Sequence, residues 1–198
     1  MNRYKFAAVL IGSLTLVAGM SARQIGPFGK EGLKAKAEIK GVDGIVGTAT
    51  LHEVDAKTGG AADPKFDTGI RGVEISIEVN GLKPGAHGIH IHAVGKCEGP
   101  GFTSAGGHFD PGPAGNMNPD MNHPFHMGDL PNIVADVKGH ASYKAVTTRA
   151  TIADGPLSLF GPDGTAIIIH ANPDEGVTAE DKAGKSGGPR VACGVITK

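Results

Sequence analysis

Tryptophan is absent from the 198 residues, and phenylalanine (7) and tyrosine (2) are few. So sparse an aromatic complement offers no stacking platform for single-stranded nucleic acid. An excess of charge is also lacking, since 19 basic and 20 acidic residues leave a net charge of -1. A near-neutral chain has no electrostatic footprint for nucleic acid or an anionic membrane. The one long apolar run, residues 6–20, is too short and too weakly flanked for a comfortable membrane span. Disorder over most of the length is excluded by 39% hydrophobic and 20% charged residues. Glycine (32) and proline (13) are plentiful, without a collagen period, between short apolar stretches. That composition suits a β protein rich in turns and loops and argues against a helix bundle. Histidine, with nine residues, is the one other excess.

Residues 1–22 read as a secretory signal. Arg3 and Lys5 give a basic start, the apolar run follows, and small residues close it, with cleavage after Gly19 or Ala22. The end of the run resembles a lipoprotein signal, but the Cys that would carry the lipid is missing, so lipidation is rejected. An uncleaved N-terminal anchor is the alternative. Loss of Arg3 and Lys5 takes the charge from -1 to -3. The mature chain is then expected in the periplasm or outside the cell, with no stable membrane association. In that oxidising setting Cys97 and Cys193 most simply form one disulfide, two buried thiols being the alternative. Closing so long a loop stabilises by about 4–5 kcal/mol on the chain-entropy view.

No repeat or linker divides the rest. Residues 23–34 read as a flexible N-terminal segment and 35–198 as one domain. Strands are expected at about 35–39, 45–54, 71–82, 88–94, 133–137, 144–152, 166–170 and 191–197. The strongest signal is the alternation of Val73, Ile75, Ile77 and Val79 with Glu74, Ser76, Glu78 and Asn80. Asn80-Gly81 and Lys83-Pro84-Gly85 are turn signals. In the 144–152 stretch, Val146, Ala150 and Ile152 are expected on the core face. Many short strands imply an all-β closed barrel or sandwich. Two long Gly/Pro-rich loops, about 95–131 and 171–190, interrupt the rhythm, and loops of that length in a compact domain usually carry function.

Seven of the nine histidines sit in suggestive settings. His90 and His92, in His87-Gly88-Ile89-His90-Ile91-His92, project from one face of a strand and can chelate one ion. His108 follows Gly106-Gly107, and His123 and His126 precede Asp129. His170 ends the apolar strand Ala166-Ile167-Ile168-Ile169. Imidazole suits copper and zinc, and a carboxylate beside histidines suits zinc. A metal site explains this pattern better than scattered surface histidines; His52 and His140 stand outside it and read as ordinary surface residues.

These residues match a known pattern. From about Ala35 to the C-terminus the chain resembles the copper/zinc superoxide dismutases of the exported bacterial type. The resemblance rests on Gly85-Ala86-His87-Gly88-Ile89-His90-Ile91-His92, Thr103-Ser104-Ala105-Gly106-Gly107-His108-Phe109, His126-Met127-Gly128-Asp129-Leu130 and Gly187-Gly188-Pro189-Arg190-Val191-Ala192-Cys193-Gly194-Val195-Ile196. It implies an eight-stranded antiparallel Greek-key β-barrel, an Ig-like sandwich, with the metals on its outside. Copper ligands would be His90, His92, His108 and His170. His108 would bridge to zinc, held also by His126 and Asp129. Cys97–Cys193 would be the family disulfide. Asp174 would accept ligand N–H groups and link the two sites, and His87 would bond backbone.

One departure is visible. The family usually places another zinc histidine where Met117 stands here. His123 is the nearest replacement, with Asp120, weak zinc binding or an empty zinc site as alternatives. The thioethers of Met117, Met121 and Met127 are expected to pack the loop. The implied reaction converts two superoxide anions to O2 and H2O2 by Cu(II)/Cu(I) cycling, with His108 releasing copper and carrying a proton. Arg190 would dock the anion, and Lys182 and Lys185 could attract it. A homodimer stays open. The alternative function is a copper-binding or delivery protein on the same barrel without useful turnover.

Overall fold

The computed structural model describes residues 32–55, 71–111, 126–176 and 186–198. Eight strands make the fold: β1 (Lys34–Gly41), β2 (Val46–Asp55), β3 (Arg71–Asn80), β4 (Gly85–His92), β5 (Asp129–Ala135), β6 (Ala141–Thr147), β7 (Ala166–His170) and β8 (Arg190–Val195). All pairings are antiparallel, in the order β5-β4-β7-β8-β1-β2-β3-β6. β5 and β6 stand at opposite ends of that order, yet they follow one another in the chain and lie side by side. The sheet therefore curls into a nearly closed barrel. The links from β3 to β4 and from β6 to β7 cross between its halves, which is the Greek-key path. Among the described residues no helix is long and apolar enough to cross a membrane.

Alternation dictates the core. Val73, Ile75, Ile77 and Val79 of β3 are fully buried, as are Ile39 of β1, Leu51 of β2, and Ile89 and Ile91 of β4. Ile167 and Ile169 of β7 join the same interior. A second, smaller cluster lies on the outer side of β7 and β8. It packs Phe102 and Ala105 against Ala166, Ile168 and Cys193. The Cys97–Cys193 disulfide, with its Cα atoms 5.6 Å apart, ties that loop to β8. β4 and β7, which carry three of the metal-ligand candidates, are thus covered on both faces, which is why β7 reads as an unbroken apolar run.

Three expectations need correction. β4 spans Gly85–His92 rather than 88–94, so the histidine pair lies at its end. β5 begins at Asp129, four residues before the expected 133. Its first residues lack apolar alternation, and pairing of Asp129 with His90 and of Leu130 with Ile89 defines them. β6 covers Ala141–Thr147 and ends at a bend, not at 152. Its inward residues are opposite β3's core side chains: Thr147 faces Val73, Ala145 faces Ile75, Tyr143 faces Ile77 and Ala141 faces Val79. Val146 therefore points outward and is 44% exposed, against the expectation, while Ala150 and Ile152 are buried beyond the bend. A period of two read across a bend assigns one side of it to the wrong face.

This register predicts opposite outcomes for two β-branched positions. Ile75→Ala should destabilise by about 2–5 kcal/mol, whereas Val146→Ser should stay within about 0.5 kcal/mol. Urea midpoints of the two variants check this, and equal losses would contradict the β3–β6 register.

Candidate metal centre

His90 and His92 leave β4 on its outer face, opposite the core residues Ile89 and Ile91. Antiparallel pairing sets His90 across from Ile168 of β7, whose end carries His170. His108 comes from the loop after β4, through an isolated bridge to His92. One ligand atom from each of His90, His92, His108 and His170 lies within 4.8 Å of the others. His108, His126 and Asp129 form a second such group, so His108 belongs to both. The His90 and His108 rings stack with centroids 4.0 Å apart.

Each buried ring has one nitrogen committed to a protein acceptor. His90 donates from Nε2 to Asp174 Oδ2 at 2.6 Å. His92 donates from Nδ1 to the Gly106 carbonyl at 2.9 Å. His170 donates from Nδ1 to the Gly188 carbonyl at 2.7 Å. Such acceptors fix the tautomer and leave a lone pair on the opposite nitrogen. Those opposite atoms, His90 Nδ1, His92 Nε2 and His170 Nε2, are buried and have no hydrogen-bond partner. An orphaned buried polar atom is costly, and three that converge fit a cation that accepts imidazole nitrogen.

Burial keeps these rings neutral. Desolvation pushes His92 down to about 2 against the opposing bond to Gly106. Desolvation, then the neighbouring His90, pushes His170 down to about 4. His90 is lowered as well, chiefly by desolvation. Burial would raise Asp129, but bonds from His108 and His126 outweigh it and hold the carboxyl well below its usual range. Asp129 Oδ1 accepts from His108 Nδ1 at 2.6 Å, and Oδ2 accepts the His126 backbone N–H at 3.0 Å. Asp174 is lowered chiefly by the His90 bond.

The supports are equally specific. Arg190 donates from Nη1 to the Phe102 carbonyl at 2.8 Å and from Nη2 to the Gly106 carbonyl at 2.7 Å. Gly106 O therefore holds both a ligand candidate and the guanidinium. His87 spans backbone, with Nδ1 2.8 Å from the His170 carbonyl and Nε2 2.7 Å from that of Lys83. Ile91, Phe109 and Gly128 close a ring of backbone bonds under the site. A Cβ on Gly128 would run into the Ile91 carbonyl, which requires glycine there.

Five of the seven suggestive histidines meet in the two groups, and His87 takes the backbone role. His140 instead pairs with exposed Glu78 at 3.1 Å, and His52 joins neither group. His123, Asp120, Met117, Met121, Lys182, Lys185 and residues 1–22 lie outside the described residues. Sequence reasoning missed Asn132 and Arg149. Asn132 exchanges two hydrogen bonds with the backbone of Asp174, at 2.8 and 2.9 Å. Arg149 donates to the carbonyls of His126 and Asp129. Neither sits in a motif, so only the fold could reveal them.

The model of the family described as copper/zinc superoxide dismutase (SODC) matches residues 45–196. The chain belongs to the copper/zinc superoxide dismutase family. A relative from Aquifex aeolicus (strain VF5), "Superoxide dismutase [Cu-Zn] 2", is 36% identical over 197 residues, covering 97% of this chain and 98% of the relative. The "Superoxide dismutase [Cu-Zn]" of Caulobacter vibrioides is 38% identical, covering 75% of this chain and 84% of the relative. Among solved structures, a SOD-like protein from Bacillus subtilis is 30% identical with a TM-score of 0.60, covering 81% and 96% of the two chains. The family's metals are copper and zinc, and the two groups of donors suit them.

The lowered histidines predict a pH dependence for the metal-free protein. Unfolded rings protonate near 6.5, while folded His170 waits until about 4. The unfolded state binds more protons between those values, so stability present above pH 6.5 should be lost as pH falls towards 4. Each pKa unit is worth about 1.4 kcal/mol. Urea midpoints of chelator-treated protein at several pH values report this, and a flat profile would contradict neutral burial of the rings.

Proposed function

We propose that the protein is an exported superoxide dismutase that converts two superoxide anions and two protons to O2 and H2O2. The observation that carries this reading is the convergence of three buried, partnerless ring nitrogens beside His108 and Arg190. Copper on His90 Nδ1, His92 Nε2, His170 Nε2 and His108, with zinc on His108, His126 and Asp129, supplies the one-electron chemistry and a fixed positive charge.

The remaining work belongs to the side chains. Arg190 has two donors anchored on the Phe102 and Gly106 carbonyls, and its other N–H groups are left to bind a small anion. Partial desolvation lowers its pKa, but a guanidinium stays charged at any physiological pH. His108 has Nδ1 turned to Asp129, so Nε2 faces the other three rings and is the atom to carry a proton to reduced substrate. Asp174 orients His90, and Gly106 and Gly188 orient His92 and His170, so the donor atoms stay aimed without rearrangement. His123 completes the zinc ligands in place of the histidine missing at position 117. The disulfide supports work in an oxidising compartment. Residues 1–22 act as the signal, and the functional domain, whose first strand starts at Lys34 rather than at 35, protects the periplasm from superoxide.

Metal content tests the assignment: protein reconstituted with both metals and dialysed should retain one copper and one zinc per chain by mass spectrometry. Copper without zinc would remove the bridging role of His108. Losing one charge-assisted contact costs about 1.5–3 kcal/mol, so Arg190→Ala should lower kcat/KM for superoxide roughly 10–100-fold with copper retained. Copper-loaded protein that does not dismutate superoxide would favour a copper-delivery role instead.

A further inference from the structure

The two zinc-ligand candidates other than the shared His108 that lie among the described residues, His126 and Asp129, come from one short turn, residues 126–129, just before and at the start of β5. Two internal bonds shape it: the Asp129 N–H donates to the His126 carbonyl at 3.2 Å, and the His126 N–H donates to Asp129 Oδ2 at 3.0 Å. That turn lies at the seam of the barrel, where β5 and β6 adjoin but are not neighbours in the hydrogen-bonded strand order. The ladder bonds that fix other strands are therefore missing at this edge.

Arg149 fills the gap from the other side. It stands in the bend after β6, and its own N–H donates to Thr147 Oγ1 at 3.2 Å. Its Nη1 donates to the His126 carbonyl at 3.1 Å, and its Nη2 donates to the Asp129 carbonyl. One planar fork thus grips both ends of the turn. We infer that Arg149 is a positioning residue for the zinc half of the site, fixing the His126 ring and the Asp129 carboxylate relative to each other. The inference rests on the proposed assignment of His126 and Asp129 to zinc.

The effect is specific by geometry. Three of the four copper-ligand candidates, His90, His92 and His170, are held at Asp174, Gly106 and Gly188, away from the turn that Arg149 grips, and only the shared His108 leans on Asp129. A rigid fork with several donors is also what lysine lacks: an ammonium on a flexible stem is a point charge and does not hold two carbonyls at a set separation. Supporting charge without the fork should therefore fail to replace Arg149.

The test uses the full chain carrying Arg149→Met or Arg149→Lys. Zinc and copper affinities are measured separately by competition with a chromophoric chelator, and cobalt(II) in the zinc position reports ligand geometry by its visible spectrum. Loss of a group that orients metal ligands typically lowers affinity by about 10–100-fold. That loss is expected for zinc in both variants, with an altered cobalt spectrum and copper affinity within about threefold of wild type. Should Arg149→Met not fold, Arg149→Lys carries the test. Wild-type zinc affinity in the variants would overturn the inference alone, and so would equal losses of zinc and copper. A wild-type chain that takes up copper but no zinc would overturn the zinc assignment, and the inference with it.

Discussion

Each of three buried imidazoles in this barrel gives one nitrogen to a fixed acceptor and so aims the other at a common point. The acceptors are unlike: a carboxylate for His90, and carbonyls from two different loops for His92 and His170. A carbonyl or carboxylate accepts and cannot donate, so each bond decides a tautomer as well as an orientation. Without an ion, the aimed lone pairs are unsatisfied buried acceptors, each costing about 1–3 kcal/mol. The barrel and its loops tolerate that penalty because the rings cannot turn away without breaking the bonds behind them. Ligand geometry follows from this arrangement, while burial lowers the histidine pKa values against the upward pull of the same bonds.

A single carbonyl couples recognition to ligation. Gly106 O accepts from His92 Nδ1 and from Arg190 Nη2, so the group proposed to bind the anion and a copper-ligand candidate share one anchor. That anchor sits on the loop which the disulfide and the Phe102–Ile168 cluster press onto β7 and β8. Packing under the loop thereby sets the distance between the cation, which also bonds the Phe102 carbonyl, and the metal site. With a net charge near zero, local placement of Arg190 matters more for capturing an anion than the charge of the whole chain.

The two halves of the site are supported differently. The copper half stands on laddered strands at the centre of the sheet order, where β4 and β7 pair. The zinc half stands at the barrel seam, on a turn that adds Asp129's own carboxylate and the guanidinium of Arg149 to the pairing of Asp129 with His90 and the backbone bonds of Gly128.

Much was legible before any coordinates. Alternation in β3 and the apolar run of β7 marked the barrel, because burial on one or both faces leaves a direct trace in residue type. Residue type and spacing also marked His90 with His92, and the family resemblance brought His108, His126, Asp129 and His170 beside them. What the sequence left unreadable has a common cause. Which nitrogen of each ring faces the ion, the outward turn of Val146, the grip of Asn132 on Asp174 and the clamp of Arg149 all depend on partners distant in the chain. Local pattern determined which residues were available for chemistry. Only the tertiary structure decided how they are aimed, because hydrogen-bond partners are set by register and loop packing rather than by neighbours in sequence.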